Sequence, residues 1–220
     1  MSVANGFYTV RLVFSKTGRA KYISHLDLYR AMTRVLRRAA IPLWYTEGFN
    51  KHPYITFAAP LSLGHESVCE RMDFRLTDET VSMREIVDRI NACLPEGLKA
   101  ISAAEAVTKA SDLGYAKYRL RLSCSPAVLR AFLDQPSILV EKKTKKKGGV
   151  KTVEIKPHLK DVSVEDADGQ AVLTITLPYS NDMTVNPTLL LTALSAFAGA
   201  EVTGEACRLE LFDRHGAVFA

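Results

Sequence analysis

Apolar and polar residues alternate from Phe7 to Phe14, with Tyr8, Val10, Leu12 and Phe14 on one side and Phe7, Thr9, Arg11 and Val13 on the other. A period of two predicts a half-buried strand. After the turn Thr17-Gly18-Arg19 the period changes. Leu28, Tyr29, Met32, Val35, Leu36 and Ala39 recur at helical spacing, and Asp27, Arg30, Arg34, Arg37 and Arg38 fall on the opposite side. This predicts an amphipathic helix from Ser24 to about Ala40. Ser24 is placed to cap it, with Asp27 three residues on in the position a capping box usually gives to Glu or Gln. Ile41-Pro42 ends it, because proline cannot continue a helix. Short strands over Leu43–Thr46 and Tyr54–Ala58 are expected around the turn-rich Glu47–Pro53. A strand over Val68–Leu76, a helix over Ser82–Leu94 and a strand over Leu98–Ala104 follow.

The second half repeats this order. Tyr118, Leu120 and Leu122 alternate with Lys117, Arg119 and Arg121 in a strand over Tyr115–Cys124, and Ser125-Pro126 opens a helix to Leu133 with proline at its first position. Ile138–Lys142 and Val150–Ile155 flank a hairpin-like loop of lysines and glycines. Asp161–Glu165 and Ala171–Pro178 pair across the Asp168-Gly169 turn. A helix from Asn186-Pro187 to Ala198 and a strand over Ala206–Phe212 complete the chain. The expected class is α+β, as two ferredoxin-like βαββαβ halves. Residues 1–106 form the first and residues 115–220 the second.

The charge of +5 is unevenly spread over the 220 residues. Residues 1–60 carry +7, 61–140 carry −1, 141–160 carry +6 and 161–220 carry −7. Such polarity can steer a polyanion to one side of a molecule. The plainer reading is that opposite-charge segments face each other in the fold. The four cysteines (Cys69, Cys93, Cys124, Cys207) form no C-x-x-C pair, which disfavours a zinc ribbon or an iron–sulfur cluster and fits a reduced, cytoplasmic protein with buried thiols. No apolar run is long enough to cross a bilayer, and residues 1–6 lack the features of a secretory signal.

Arg30, Arg34, Arg37 and Arg38 make the most readable candidate site, since guanidinium forks grip phosphate with two bonds where lysine cannot. Lys142, Lys143, Lys145, Lys146 and Lys147 beside Gly148-Gly149 suit looser phosphate attraction. Each set also reads simply as a solvated surface. Glu47-Gly48-Phe49-Asn50-Lys51-His52-Pro53 offers Phe49 as a stacking platform and Asn50 and His52 as base or ligand contacts. His25, in the first helical turn on the apolar side near Met32 and Leu36, is a candidate general base or a structural residue. His25 is expected within reach of Asn50 or His52, with Phe49 closing an apolar wall. The His25, His52, His65 and Glu66 spacings match no zinc signature, so no metal is expected.

The runs Tyr22-Ile23-Ser24-His25-Leu26-Asp27-Leu28, Arg34-Val35-Leu36-Arg37-Arg38-Ala39, Glu47-Gly48-Phe49-Asn50, His52-Pro53 and Pro60-Leu61-Ser62-Leu63-Gly64 carry a resemblance. Together they resemble a bacterial domain-of-unknown-function family linked to radical-SAM enzymes, fused to them or encoded beside them. Lys51 stands where that family usually has proline, and Ile155-Lys156-Pro157 with Lys160-Asp161 resembles a looser second motif. The family resemblance implies a radical-SAM enzyme as partner and a role in RNA metabolism.

The chain has no C-x-x-x-C-x-x-C run to hold the radical-SAM cluster, so no cofactor is expected and recognition or docking is left to it. The function read here is an RNA-binding accessory or substrate-recognition protein in RNA modification or processing, with tRNA or rRNA as candidate ligands. The alternatives are a metal-independent endoribonuclease using His25 and a protein-interaction module without nucleic acid.

Overall fold

The computed structural model describes residues 6–143, 149–180 and 183–220. The chain is of mixed α+β class and divides into two compact units between Ala110 and Ser111, the first also taking in Ala220.

The first unit runs β1 (Tyr8–Lys16), α1 (His25–Arg38), β2 (Ile55–Phe57), β3 (Glu66–Leu76), α2 (Met83–Asn91) and β4 (Leu98–Glu105). β1 lies between β4 and β3, β2 pairs with the far side of β3, and every neighbour is antiparallel. The alternation read from Tyr8 to Phe14 gives this sheet its core face. Val10, Leu12 and Phe14 pack with Met72, Phe74 and Leu76 of β3 beneath Leu28, Met32 and Leu36 of α1 and Ile86 and Ile90 of α2. Each of these side chains contributes roughly 1.5–3 kcal/mol on leaving water.

The expected strand over Leu43–Thr46 is not one. Leu43 and Tyr45 make single bridges, to Leu76 and Pro53, and the segment leaves the sheet as the stem of a loop.

The second unit runs β5 (Leu113–Leu122), α3 (Pro126–Leu133), β6 (Leu139–Lys143), β7 (Val150–Glu154), β8 (Lys160–Ala167), β9 (Gln170–Pro178), α4 (Pro187–Ala198) and β10 (Gly204–Asp213). β10, β5, β9 and β8 neighbour one another in that order, all antiparallel, and β6 and β7 form a separate hairpin. With that hairpin set aside, both units follow one plan. The last strand lies beside the first, the first beside the third, and the third beside the second.

The looser motif is structural here. Ile155 is fully buried, the Lys156 ammonium bonds the Leu133 carbonyl at the end of α3, and Thr176 donates to Asp161 at 2.9 Å. Among the described residues no helix is long and apolar enough to cross a membrane.

Candidate functional site

α1 begins as its sequence dictates. The Ser24 hydroxyl accepts from the Asp27 amide at 3.2 Å and donates to the Asp27 carboxylate at 2.7 Å. That bond, followed by one from Arg30, holds the Asp27 carboxyl below the usual carboxylate range. The helix ends in a left-handed residue, Ala40 at φ 50°. The Ala40 and Ile41 amides bond the Arg37 and Leu36 carbonyls at 3.1 and 3.2 Å.

Leu28, Met32, Val35 and Leu36 are buried and all four arginines are exposed, as the helical period requires. Their fates differ. Arg30 pairs with Asp27 at 3.2 Å. Arg37 lies 5.8 Å from the centre of the Tyr45 ring. Arg34 and Arg38 line a cleft of about 400 Å³, which Cys93, Leu94 and Pro95 close from the turn after α2. Among the described residues neither has a carboxylate partner.

The Glu47–Pro53 loop is closed on itself. The Thr46 amide bonds the His52 carbonyl at 2.9 Å, and the His52 amide bonds the Thr46 hydroxyl at 3.3 Å. His52 Nδ1 lies 3.0 Å from the Asn50 carbonyl and 3.2 Å from the Thr46 hydroxyl. Gly48, at φ 113°, makes the turn that a side chain would oppose. Phe49 is fully exposed, at 104% of its reference area. It is a free platform and not the wall of an apolar pocket.

His25 also departs from expectation. It is exposed, with its ring edge-on to Phe57 at 5.2 Å. By the helical period His25 falls on the same side as Leu28 and Met32, and it is exposed because it opens the helix, one turn ahead of the first buried residue, Leu28. The expected meeting of His25 with Asn50 or His52 is not made by any contact among the described residues.

Lys142 donates to the Thr184 carbonyl at 2.8 Å. Lys143 ends β6, and Lys145, Lys146 and Lys147 lie outside the described residues. All four cysteines are free. Only Cys69 is buried and the others are half-buried, so the expectation of buried thiols holds for one of them. Among the described residues no three His, Cys, Asp or Glu side chains gather as a metal site.

Two parts of this region were not anticipated. The wall formed by Cys93-Leu94-Pro95 comes from a segment that reads only as a helix end. The Arg75 guanidinium is stacked 3.7 Å from Phe7 and 3.8 Å from Tyr54, with Trp44 at 5.1 Å. The available signal was the strand alternation, which turns Arg75 away from the core face of Phe74 and Leu76.

A family model described as "Uncharacterized protein conserved in bacteria (DUF2344)" matches residues 9–187. The chain belongs to this family. Both the α1 start and the Phe49 loop fall within the family match, as does the looser motif. No curated protein matches the chain. Among solved structures, a chain in "Crystal Structure of a Cbf5-Nop10-Gar1 Complex" is similar at TM-score 0.53 and 9% identity, over 92% of this chain and 48% of that one. This member of the family therefore spans about half the length of that chain, and the likeness is one of fold alone. An unknown protein from Galdieria sulphuraria aligns over 92% of this chain and 98% of its own at 11% identity, with a TM-score of 0.26 that carries no argument.

Proposed function

We propose that this chain binds RNA through the open face of α1 and the Phe49 loop, as the substrate-recognition partner of a radical-SAM enzyme in RNA modification or processing. The observation that carries the RNA reading is the set of exposed guanidiniums on Arg34, Arg37 and Arg38, with no carboxylate partner among the described residues. Paired arginines would be self-satisfied surface. Unpaired ones keep their forks available for phosphate oxygens.

Arg37 reaches Tyr45, whose bridge to Pro53 closes the base of the loop, so the end of the arginine face meets the stem of the loop that carries Phe49. A base stacked on such a ring contributes roughly 1–3 kcal/mol. The radical-SAM partner rests on the motif resemblance. We also read both units as ferredoxin-like, a reading supported by their shared strand order.

The test is co-purification of the full chain with its radical-SAM neighbour, followed by sequencing of retained RNA across a salt series. Retained RNA that is released steeply by salt and reduced by Phe49→Ala is expected. No salt-sensitive retention with the neighbour present contradicts the reading.

A further inference from the structure

The arginine face contains one concave place, the cleft that Arg34 and Arg38 share with the turn after α2. We propose that this cleft is a binding site for a phosphate monoester carried on a flat, largely apolar body, as in a nucleoside monophosphate. The proposal rests on the phosphate-binding reading of α1 but not on RNA being the ligand.

Arg34 and Arg38 are four residues apart, so they rise side by side from one edge of the helix. Two forks at that spacing suit a dianion better than one fork does. Ala31 and Val35 of α1 face Leu94 and Pro95 of the turn across it, an apolar lining without a carboxylate. The acids that flank the turn in sequence, Asp88 of α2 and Glu96 after Pro95, are exposed and are not among the residues lining the cleft, and Glu85 is held by Arg89 at 2.6 Å. A cleft of about 400 Å³ is within the range of small-ligand sites, roughly 300–1,000 Å³.

The far wall is fixed in place. The Asn91 side chain exchanges two bonds with the Ala100 backbone at 3.0 and 2.9 Å, and the Thr17 amide bonds the Gly97 carbonyl at 2.8 Å. Gly97 has φ 85°, and a Cβ there would come within 2.6 Å of the Thr17 carbonyl oxygen. Only glycine lets the turn approach this closely.

Cys93 is half-buried in the wall and serves as a built-in reporter. The full chain is labelled with iodoacetamide, with labelling followed at Cys93, Cys124 and Cys207 by mass spectrometry. Probes are adenosine monophosphate, adenosine and inorganic phosphate at low salt. Adenosine monophosphate is expected to slow labelling of Cys93 several-fold and to leave Cys124 and Cys207 unchanged, and adenosine to have no effect. Arg34→Ala or Arg38→Ala should each weaken protection by about tenfold or more, the worth of a charged hydrogen bond. Arg84→Ala, an exposed arginine on α2 outside the cleft, should retain it. An unchanged Cys93 rate, or protection that survives the Arg34→Ala/Arg38→Ala pair, overturns the site. Inorganic phosphate protecting as well as adenosine monophosphate overturns the apolar lining's part. RNA retention without Cys93 protection sinks the cleft and spares the RNA reading, and protection without RNA retention does the reverse.

Discussion

The guanidinium carbon of Arg75 lies 3.8 Å from the centre of the Tyr54 ring. It also meets the Phe7 ring at 3.7 Å, and the Arg75 carbonyl accepts the Trp44 amide at 2.8 Å. One residue of β3 thus holds both stems of the excursion that carries Phe49. Arg75 Nε is buried without a hydrogen-bond partner among the described residues, so ring faces are what offset its desolvation.

Arg75→Ala should therefore destabilise the chain by about 1–3 kcal/mol, the sum of two or three partly desolvated cation–π contacts. It should also speed amide exchange at Thr46 and His52, whose bonds close the loop. Denaturant unfolding and hydrogen exchange measure both. Unchanged protection at Thr46 and His52 would mean that the loop is held without the stack.

Ala40 ends α1 in the left-handed conformation, at φ 50°. A Cβ in that region costs roughly 1–2 kcal/mol, which glycine avoids while giving back some unfolded-state entropy. Ala40→Gly should raise stability by about 0.5–1 kcal/mol, read from the urea midpoint at constant slope. A lower midpoint would show that the Ala40 methyl packs more than its strain costs.

Glu154 gathers the Ser137 hydroxyl and the Ile138 and Lys156 amides, the last two each at 2.9 Å. The Ser137 bond foremost, then the Ile138 amide, holds its carboxyl below the ordinary value. A depressed folded pKa means that the unfolded chain binds the proton first. The stabilisation is complete above the unfolded carboxylate pKa and is lost as pH falls through the folded one. Glu154→Gln should be less stable than the parent at neutral pH, with the gap closing at acid pH. A gap that does not change with pH would assign the effect to packing.

α1 was legible because everything that defines it is local: the 3.6-residue period, the Ser24–Asp27 cap and the Pro42 stop. The exposure of its four arginines followed from the same period. Burial of charge was not legible. Arg11 reads as the solvent side of a half-buried strand. In the structure it is 2% exposed and grips Asp73 with two bonds of 2.7 Å while donating to Thr108 and the Ala220 carbonyl, partners 62 to 209 residues away. Lys16 lies beyond the strand expected over Phe7–Phe14, yet it ends β1 buried on the Lys21 carbonyl at 3.2 Å, and burial pushes its pKa down. Leu43–Thr46 misled because its apolar residues serve single bridges and a cation–π stack instead of a ladder. The cleft depends on Gly97 approaching Thr17, a contact that no local pattern announces.

The measurement closest to the central claim is the salt dependence of single-stranded RNA binding by the full chain and by Arg34→Ala, Arg37→Ala and Arg38→Ala together. Each phosphate neutralised contributes about 0.7 to the slope of log K against log salt. The account predicts tight binding at low salt for the parent, with the triple variant losing about 2 units of slope and most of its affinity. A parent that binds with no salt slope, or a triple variant whose slope matches the parent's, would contradict phosphate recognition by α1.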